Sequence, residues 1–486
     1  MENSSMSSGL RLSDEEMRSF GYEVIDSIIK HISELHQQPV TTTASRFELE
    51  QRLREPIPEQ GADPHQVLEQ VLTKILPNIA HTDHPRFFAY VPSPGNFVSV
   101  MAEALAAGFN VFAGHWLVGS GPAEIELVTI DWLRQLCDLP EIAGGLFVSG
   151  GSMANLTAIA TARRVCLGEH RFDAVIYCSD QTHSSLQKGL RILGFRDEQL
   201  RKIATGADYR LDCDDLQRRI TADCEAGLRP FCVVANAGTT NTGAIDPLEK
   251  ISAICRSGQL WMHVDGAYGV AAILSDEGRK QLSGLKLADS ITLDPHKWWF
   301  QPYEIGCVLV QDMRHLQMTF GTRAEYLKET LRDAEEINFY DYGPQLTRSF
   351  RALKLWLSIK VFGLAAFREA VSRGIYLARF AEGLLREDPD WEIATPAQIG
   401  IITFRYRPPG FEQVDTDAAT GEIVKKMLAG KYAMVTSTEL NSRPVLRMCT
   451  INPQTSEEDI RKTIQELKRL GESQAMELRK KSHRHN

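Results

Sequence analysis

Apolar residues recur along this chain at different spacings, and each change of spacing marks a change of element. Residues 13 to about 36 carry Met17, Phe20, Val24, Ile28 and Ile32 at intervals that fall on one face of a helix. Ser13 followed by Glu16 forms a capping box at its start. The segment "REPIPEQGADP" (54–64) breaks the pattern, and a second helix is predicted from residue 65 to about 76, just before Pro77. Helices with one apolar stripe each cannot close a core, so this arm must pack on the main body or on a second subunit.

From about residue 85 short apolar or β-branched runs appear, separated by helical segments: "GGLFVSG", "AVIYCSD", "FCVVANAG", "LWMHVDGAYG", "SITLDPHKW" and "GCVLVQD". Residues 174–178 and 231–235 are apolar on both strand faces, the mark of a sheet covered by helices on both sides. Strand alternating with helix predicts an α/β body with a mainly parallel sheet. In such sheets ligands gather at the C-terminal strand ends. Residues 312–348 are polar, acidic and weakly periodic, and read as a mobile loop. A long helical pattern from Phe350, the runs "GIITFRY" and "PVLRMCT", and the helix "SEEDIRKTIQELKRL" predict a smaller α+β domain. The expected division is an arm at 1–84, a large domain at 85–352 with a mobile loop at about 318–345, and a small domain at 353–486.

Composition narrows the class without naming a chemistry. The 486 residues are 43% hydrophobic and 24% charged, ordinary for a globular protein. A net charge of −9 argues against nucleic acid as the main partner. The one basic run, "LRKKSHRHN" at the end, reads as a solvated tail. The polar N-terminus has no apolar signal core, and no stretch approaches the ~18 apolar residues of a membrane span. Nine scattered cysteines without a C-x-x-C pair fit reduced thiols and make a zinc site improbable; no metal is expected. The expectation is a soluble cytoplasmic protein.

Five groups follow the apolar runs. "SGGSMAN" (149–155) precedes an Ala-rich helix and could cradle a phosphate, or simply be a Gly-Ser turn. In "SDQTHSS", His183 could stack on a ring, exchange protons or serve the fold. "ANAGTTNTG" offers Thr239 or Thr240 to a ligand, or forms a turn. In "HVDGAYG", Asp265 ends an apolar strand and must be paired or functional. Last comes Lys297 in "LDPHKWWF", where reduced polarity would favour the neutral amine. Singly each has a bland explanation. In this order they supply what pyridoxal phosphate requires: a phosphate turn, a carboxylate for the pyridine nitrogen and a lysine for the aldehyde.

These residues carry a family resemblance. "HPRFFAYVPSPG", "AEIELVTIDWL", "SGGSMANL", "SDQTHSS", "HVDGAYG", "DPHKWWF", "EYLKE" and "FRALKLW" resemble, in order and over nearly the whole chain, motifs of the group II amino-acid decarboxylases. These are fold-type I pyridoxal phosphate enzymes, aspartate aminotransferase-like, and the aromatic L-amino-acid decarboxylases are the most similar group. The resemblance implies that Lys297 binds the cofactor covalently, Asp265 pairs with its pyridine nitrogen, and His183 and Ala267 cover its two faces. It places Gly151, Ser152, Asp294 and His296 along the phosphate side and Thr240 near the cofactor. It implies a homodimer with the active site at the subunit interface, where a loop tyrosine, here Tyr326, delivers a proton after CO2 leaves.

The implied substrate is an aromatic amino acid (Trp, Tyr, Phe or Dopa), with Tyr90, Pro92 and Phe112 as pocket residues and no added cation for an acidic one. Two departures bear on it: Asp294 stands where asparagine is frequent, and Gly114 where a bulky aromatic is usual. The alternatives are a decarboxylase of a non-aromatic amino acid, an aldehyde synthase and, distantly, a nucleotide-binding α/β module. Retention of Tyr326 and His183 favours simple decarboxylation over aldehyde formation.

Overall fold

The computed structural model describes residues 9–168, 172–321 and 336–482. All six apolar runs of the body become strands. They are β1 (Gly144–Val148), β2 (Ala174–Ser179), β4 (Arg229–Asn236), β5 (Trp261–Asp265), β6 (Ser290–Leu293) and β7 (Gly306–Val310); a short β3 (Leu200–Ile203) completes the sheet. The order is β1-β7-β6-β5-β4-β2-β3. Only β7 is reversed, pairing antiparallel with both β1 and β6, while β2, β3, β4, β5 and β6 pair in parallel.

Why the central strands lack an apolar/polar alternation is visible in their packing. Val175, Tyr177, Val233 and Ala235 enter the core on one face of the sheet. Ile176, Cys178, Cys232 and Val234, the residues between, enter a second core on the other. Helices cover both faces, so every position of β1, β2, β5, β6 and β7 is buried. The nine cysteines are all unpaired, and six of them are buried.

The second sheet is antiparallel, in the order β10-β11-β9-β8: β8 (Trp391–Gln398), β9 (Ile401–Tyr406), β10 (Thr436–Leu440) and β11 (Arg443–Cys449). Helices Ala352–Arg386, Gln413–Gly430 and Glu457–Ser482 pack on it. The first of these bends at Gly363, whose φ of +73° interrupts the helix.

The arm opens with helix Asp14–Glu34, closed by the expected capping box of Ser13 and Glu16. None of its 21 residues is buried. A helix at Arg46–Leu53, with its own Ser45–Glu48 capping box, was not expected. The predicted second helix covers Pro64–Gln70, then loosens into a π turn and a 3-10 turn ending at Asn78; Pro77 lacks the N–H that would continue it. His36 of the arm contacts Asp459 of the C-terminal helix at 2.9 Å, and Arg86, just after the arm, joins the same carboxylate at 3.5 Å.

Residues 322–335, the middle of the loop expected at about 318–345, lie outside the described residues, and the flanks on either side are described. Arg314–Phe320 is helical, Phe339 and Tyr340 are buried, and Arg348 forms a fully buried ion pair with Glu126. Aromatic anchoring and this ion pair fix the described flanks.

Candidate active site

One cavity of about 440 Å³ opens where β1, β2, β4, β5 and β6 end. It is lined by Gly151, Ser152, His183, Thr240, Asp265, Ala267, Asp294, His296 and Lys297, the whole set inferred for the cofactor. Tyr90, Pro92 and Phe112 do not line it. Tyr90 is 62% exposed, Pro92 is buried, and the Phe112 ring fills the space over Gly114, with Cζ 2.9 Å from where a Cβ would stand. Tyr326 lies outside the described residues.

Each wall follows from local sequence. Helix Gly151–Leu167 begins directly after β1, and Gly150 offers no side chain to cap it. Its first N–H groups and its positive dipole end are left for an anion. A Cβ on Gly151 would sit 2.8 Å from Asp294 Oδ2 and 3.0 Å from Ala267 Cβ, so any side chain there would push on the Asp294 carboxylate.

Asp265 closes β5 with its carboxylate held by two donors. Oδ1 accepts the Ala267 N–H at 3.2 Å and Oδ2 accepts Asn155 Nδ2 at 2.8 Å. His183 Nδ1 lies 2.9 Å from Ser185 Oγ and accepts the Ser185 backbone N–H at 3.2 Å.

Lys297 Nζ is 3.0 Å from Asp294 Oδ2, which also faces His296 Nε2 at 3.6 Å. Asp294 is 2% exposed, and its Oδ1 has no partner among the described residues. Burial disfavours the Lys297 ammonium, but the charges of Asp294 and Asp265 more than offset this and raise its pKa. The expectation of a lysine kept neutral by apolar surroundings is therefore corrected: in the protein alone two carboxylates hold it charged. His296 is shifted the other way, towards the neutral form, chiefly by burial.

Behind the lysine, Trp298 and Trp299 are fully buried. Trp298 stacks on Tyr268 at 5.2 Å, and Tyr268 donates a hydrogen bond to the Ile399 carbonyl of the small domain. The indole also fills the space over two small-domain glycines, Gly374 and Gly400, at 3.2 and 3.5 Å from an added Cβ.

Several cavity residues were missed from sequence: Asn155, Ser185, Asn236, Tyr268 and Glu304. Asn155 has a recognisable signal, since it lies one helical turn after Gly151 on the same face. Arg447 has none. It is 3% exposed, donates to the Thr240 carbonyl at 2.7 Å and to the Tyr90 carbonyl, and leaves Nη2 without a partner. Among the described residues it makes no ion pair, so a buried positive charge stands uncompensated beside a cavity residue.

The donor set fits pyridoxal phosphate. An uncapped helix N-terminus suits the phosphate, a hydrogen-bonded carboxylate the pyridine nitrogen, and an amine the aldehyde.

The chain matches the pyridoxal-dependent decarboxylase conserved domain over residues 48–407. It is 46% identical to the aromatic-L-amino-acid decarboxylase of Bacillus atrophaeus, over 96% of this chain and 98% of that one. It is 32% identical to the phenylacetaldehyde synthase of Arabidopsis thaliana, over 96% and 98%. The crystal structure of Oryza sativa TDC with PLP and tryptamine superposes with a TM-score of 0.91 at 28% identity, covering 95% of this chain and 99% of that one. With the fold, the cavity and these likenesses in agreement, the chain belongs to the pyridoxal-dependent decarboxylase family, PLP-dependent carboxy-lyases of fold-type I.

Proposed function

We propose that the protein removes the carboxylate of an aromatic L-amino acid as CO2, releases the amine, and works as a cytoplasmic homodimer. The observation that carries the reading is the convergence of Lys297, Asp265, His183 and an uncapped helix N-terminus on one cavity. The 46% identical relative named for aromatic amino acids supports the substrate class. Unpaired cysteines support a reducing compartment.

Lys297 is the covalent anchor, Asp265 the partner of the pyridine nitrogen, and His183 and Ala267 cover the ring. Gly151, Ser152, Thr240, Asp294 and His296 flank the phosphate side. When bound, pyridoxal phosphate withdraws electrons from the bond that breaks at the substrate's α-carbon. To act as a nucleophile Lys297 must first shed a proton, and Asp294 at 3.0 Å is its nearest acceptor. Arg447 is the candidate counter-charge for the substrate carboxylate, because among the described residues it makes no ion pair. Tyr90, Pro92 and Phe112, outside the cavity, are assigned to a substrate wall shared across the dimer. Tyr326 is assigned proton delivery to the α-carbon on the resemblance.

The 32% identical phenylacetaldehyde synthase favours a second reading, oxidative conversion to an aldehyde. One experiment separates the two. Protein loaded with pyridoxal phosphate is given L-Trp, L-Tyr, L-Phe and L-Dopa, with L-Leu and L-Glu as controls, and amine, CO2, aldehyde and peroxide are measured. Amine and CO2 in equal amounts from an aromatic substrate are expected. In Tyr326→Phe the product shifts towards aldehyde, ammonia and peroxide with uptake of O2. A Phe variant that still gives only amine at the parent rate removes Tyr326 from the mechanism.

A further inference from the structure

Beneath the cavity a line of hydrogen bonds crosses the core. Trp261 Nε1 lies 2.8 Å from Ser290 Oγ, and Ser290 Oγ lies 2.8 Å from His263 Nδ1. His263 Nε2 lies 2.9 Å from Asn155 Oδ1, and Asn155 Nδ2 lies 2.8 Å from Asp265 Oδ2. Asn155 Nδ2 also reaches Ser185 Oγ at 3.4 Å, and Ser185 Oγ reaches His183 Nδ1 at 2.9 Å. Every member but His183 is buried.

The Asp265 carboxylate can only accept, which sets the Asn155 NH2 towards it, the Asn155 carbonyl oxygen towards His263, and the direction of the bonds that follow. An indole N–H can only donate, so Ser290 accepts from Trp261 and has its own proton free for His263 Nδ1. His263 then carries its proton on Nε2 and donates to the Asn155 carbonyl oxygen. That turns the Asn155 NH2 towards Asp265. At the other end the Ser185 backbone N–H makes His183 Nδ1 an acceptor, which frees the Ser185 hydroxyl to donate to it and accept from Asn155. Both ends demand the same orientation of one amide. A flipped amide would set its oxygen against the Asp265 carboxylate and its NH2 against a histidine N–H, breaking two buried bonds at once.

We propose that Asn155 is the positioning residue of this site: its amide, locked by the Trp261–Ser290–His263 relay, holds the Asp265 carboxylate as an acceptor facing the cofactor and couples it to His183. The inference rests on the reading of Asp265 as the partner of the pyridine nitrogen. It explains why four polar side chains are spent inside an otherwise apolar core, where each would be costly without a partner.

The test begins with the cofactor-free protein labelled with 15N-histidine, the His263 signals being assigned by their loss in His263→Gln. A neutral imidazole protonated at Nε2 is expected. A proton on Nδ1 reverses the relay and overturns the proposal.

The second measurement is cofactor affinity and the visible absorption of bound cofactor in Asn155→Asp. This variant keeps volume and shape but presents an oxygen to Asp265. An affinity loss of at least about tenfold, the size of one charge-assisted hydrogen bond, is expected together with a shifted absorption maximum. If Asn155 merely fills space, Asn155→Asp binds like the parent and only Asn155→Ala is impaired, and the proposal falls. Asp265→Asn is measured in parallel. Unchanged affinity and spectrum there, with Asn155→Asp impaired, would overturn the reading of Asp265 itself and the inference with it.

Discussion

Asp294 governs the charge state of Lys297, the proposed cofactor anchor. Its Oδ2 sits 3.0 Å from Lys297 Nζ, and the pair is fixed by a turn in which the Lys297 N–H bonds the Asp294 carbonyl at 2.9 Å. The carboxylate raises the Lys297 pKa against the opposing effect of burial. Asp294→Asn removes the charge and keeps the shape, so the neutral amine becomes available at lower pH. The pH midpoint for covalent capture of pyridoxal phosphate, followed by absorbance, is expected to fall in this variant, and an unchanged midpoint would show that Asp294 does not set it. The residue that matters was in view three positions before the lysine. What the sequence did not display is the turn that folds one side chain back onto the other. Arg447 was hidden for a related reason, because an arginine in a strand looks exposed until the sheet around it is closed.

At the scale of elements, the ends of β4 and β2 are held together by one buried carboxyl. Asp246 Oδ2 accepts the Asn236 N–H at 2.7 Å and Nδ2 at 2.9 Å, and Oδ1 accepts the Leu211 N–H at 2.8 Å. Asn236 Nδ2 reaches on to Ser179 Oγ and Thr182 Oγ1 beyond β2, both at 3.1 Å. Burial outweighs these donors and pushes the Asp246 carboxyl up to about 6. Its contribution to stability is therefore complete below the unfolded carboxyl's ordinary value near 3.8 and is lost as pH rises through about 6. Asp246→Asn lacks this dependence, so between pH 4 and 7 its stability relative to the parent should rise by on the order of 2–3 kcal/mol in urea unfolding. A difference that stays flat over this range would mean Asp246 is ionised throughout.

The strands that could be read from sequence are those buried on both faces. Those that could not, β3, β8 and β10, are sheet edges with half-exposed polar positions. "LRKI" and "TSTEL" have no apolar run to announce them, and only pairing with a neighbour makes them strands.

At the scale of the molecule, the arm carries a surface that the single chain leaves open. Val24, Ile28, Leu68, Val71 and Leu72 line a groove of about 800 Å³, and no residue of helix Asp14–Glu34 is buried. The proposed cover is the second subunit of the homodimer. The paired change Ile28→Asp and Leu72→Asp places two carboxylates in that interface. Each costs at least about 3 kcal/mol if buried unpaired, roughly 100-fold in association. Sedimentation should show the parent at twice 54.4 kDa and the variant at 54.4 kDa, with activity lost alongside. A variant that stays dimeric and active would place the interface elsewhere.

The tryptophan directly after Lys297 has a mechanical consequence. Its indole is clamped between Tyr268 on the large domain and the backbones of Gly374 and Gly400 on the small one. It acts as a keystone: prising the two sheets apart would drag on the lysine's own peptide. The small sheet and the peptide that carries Lys297 therefore share one packed joint, and a change that loosens it would disturb both.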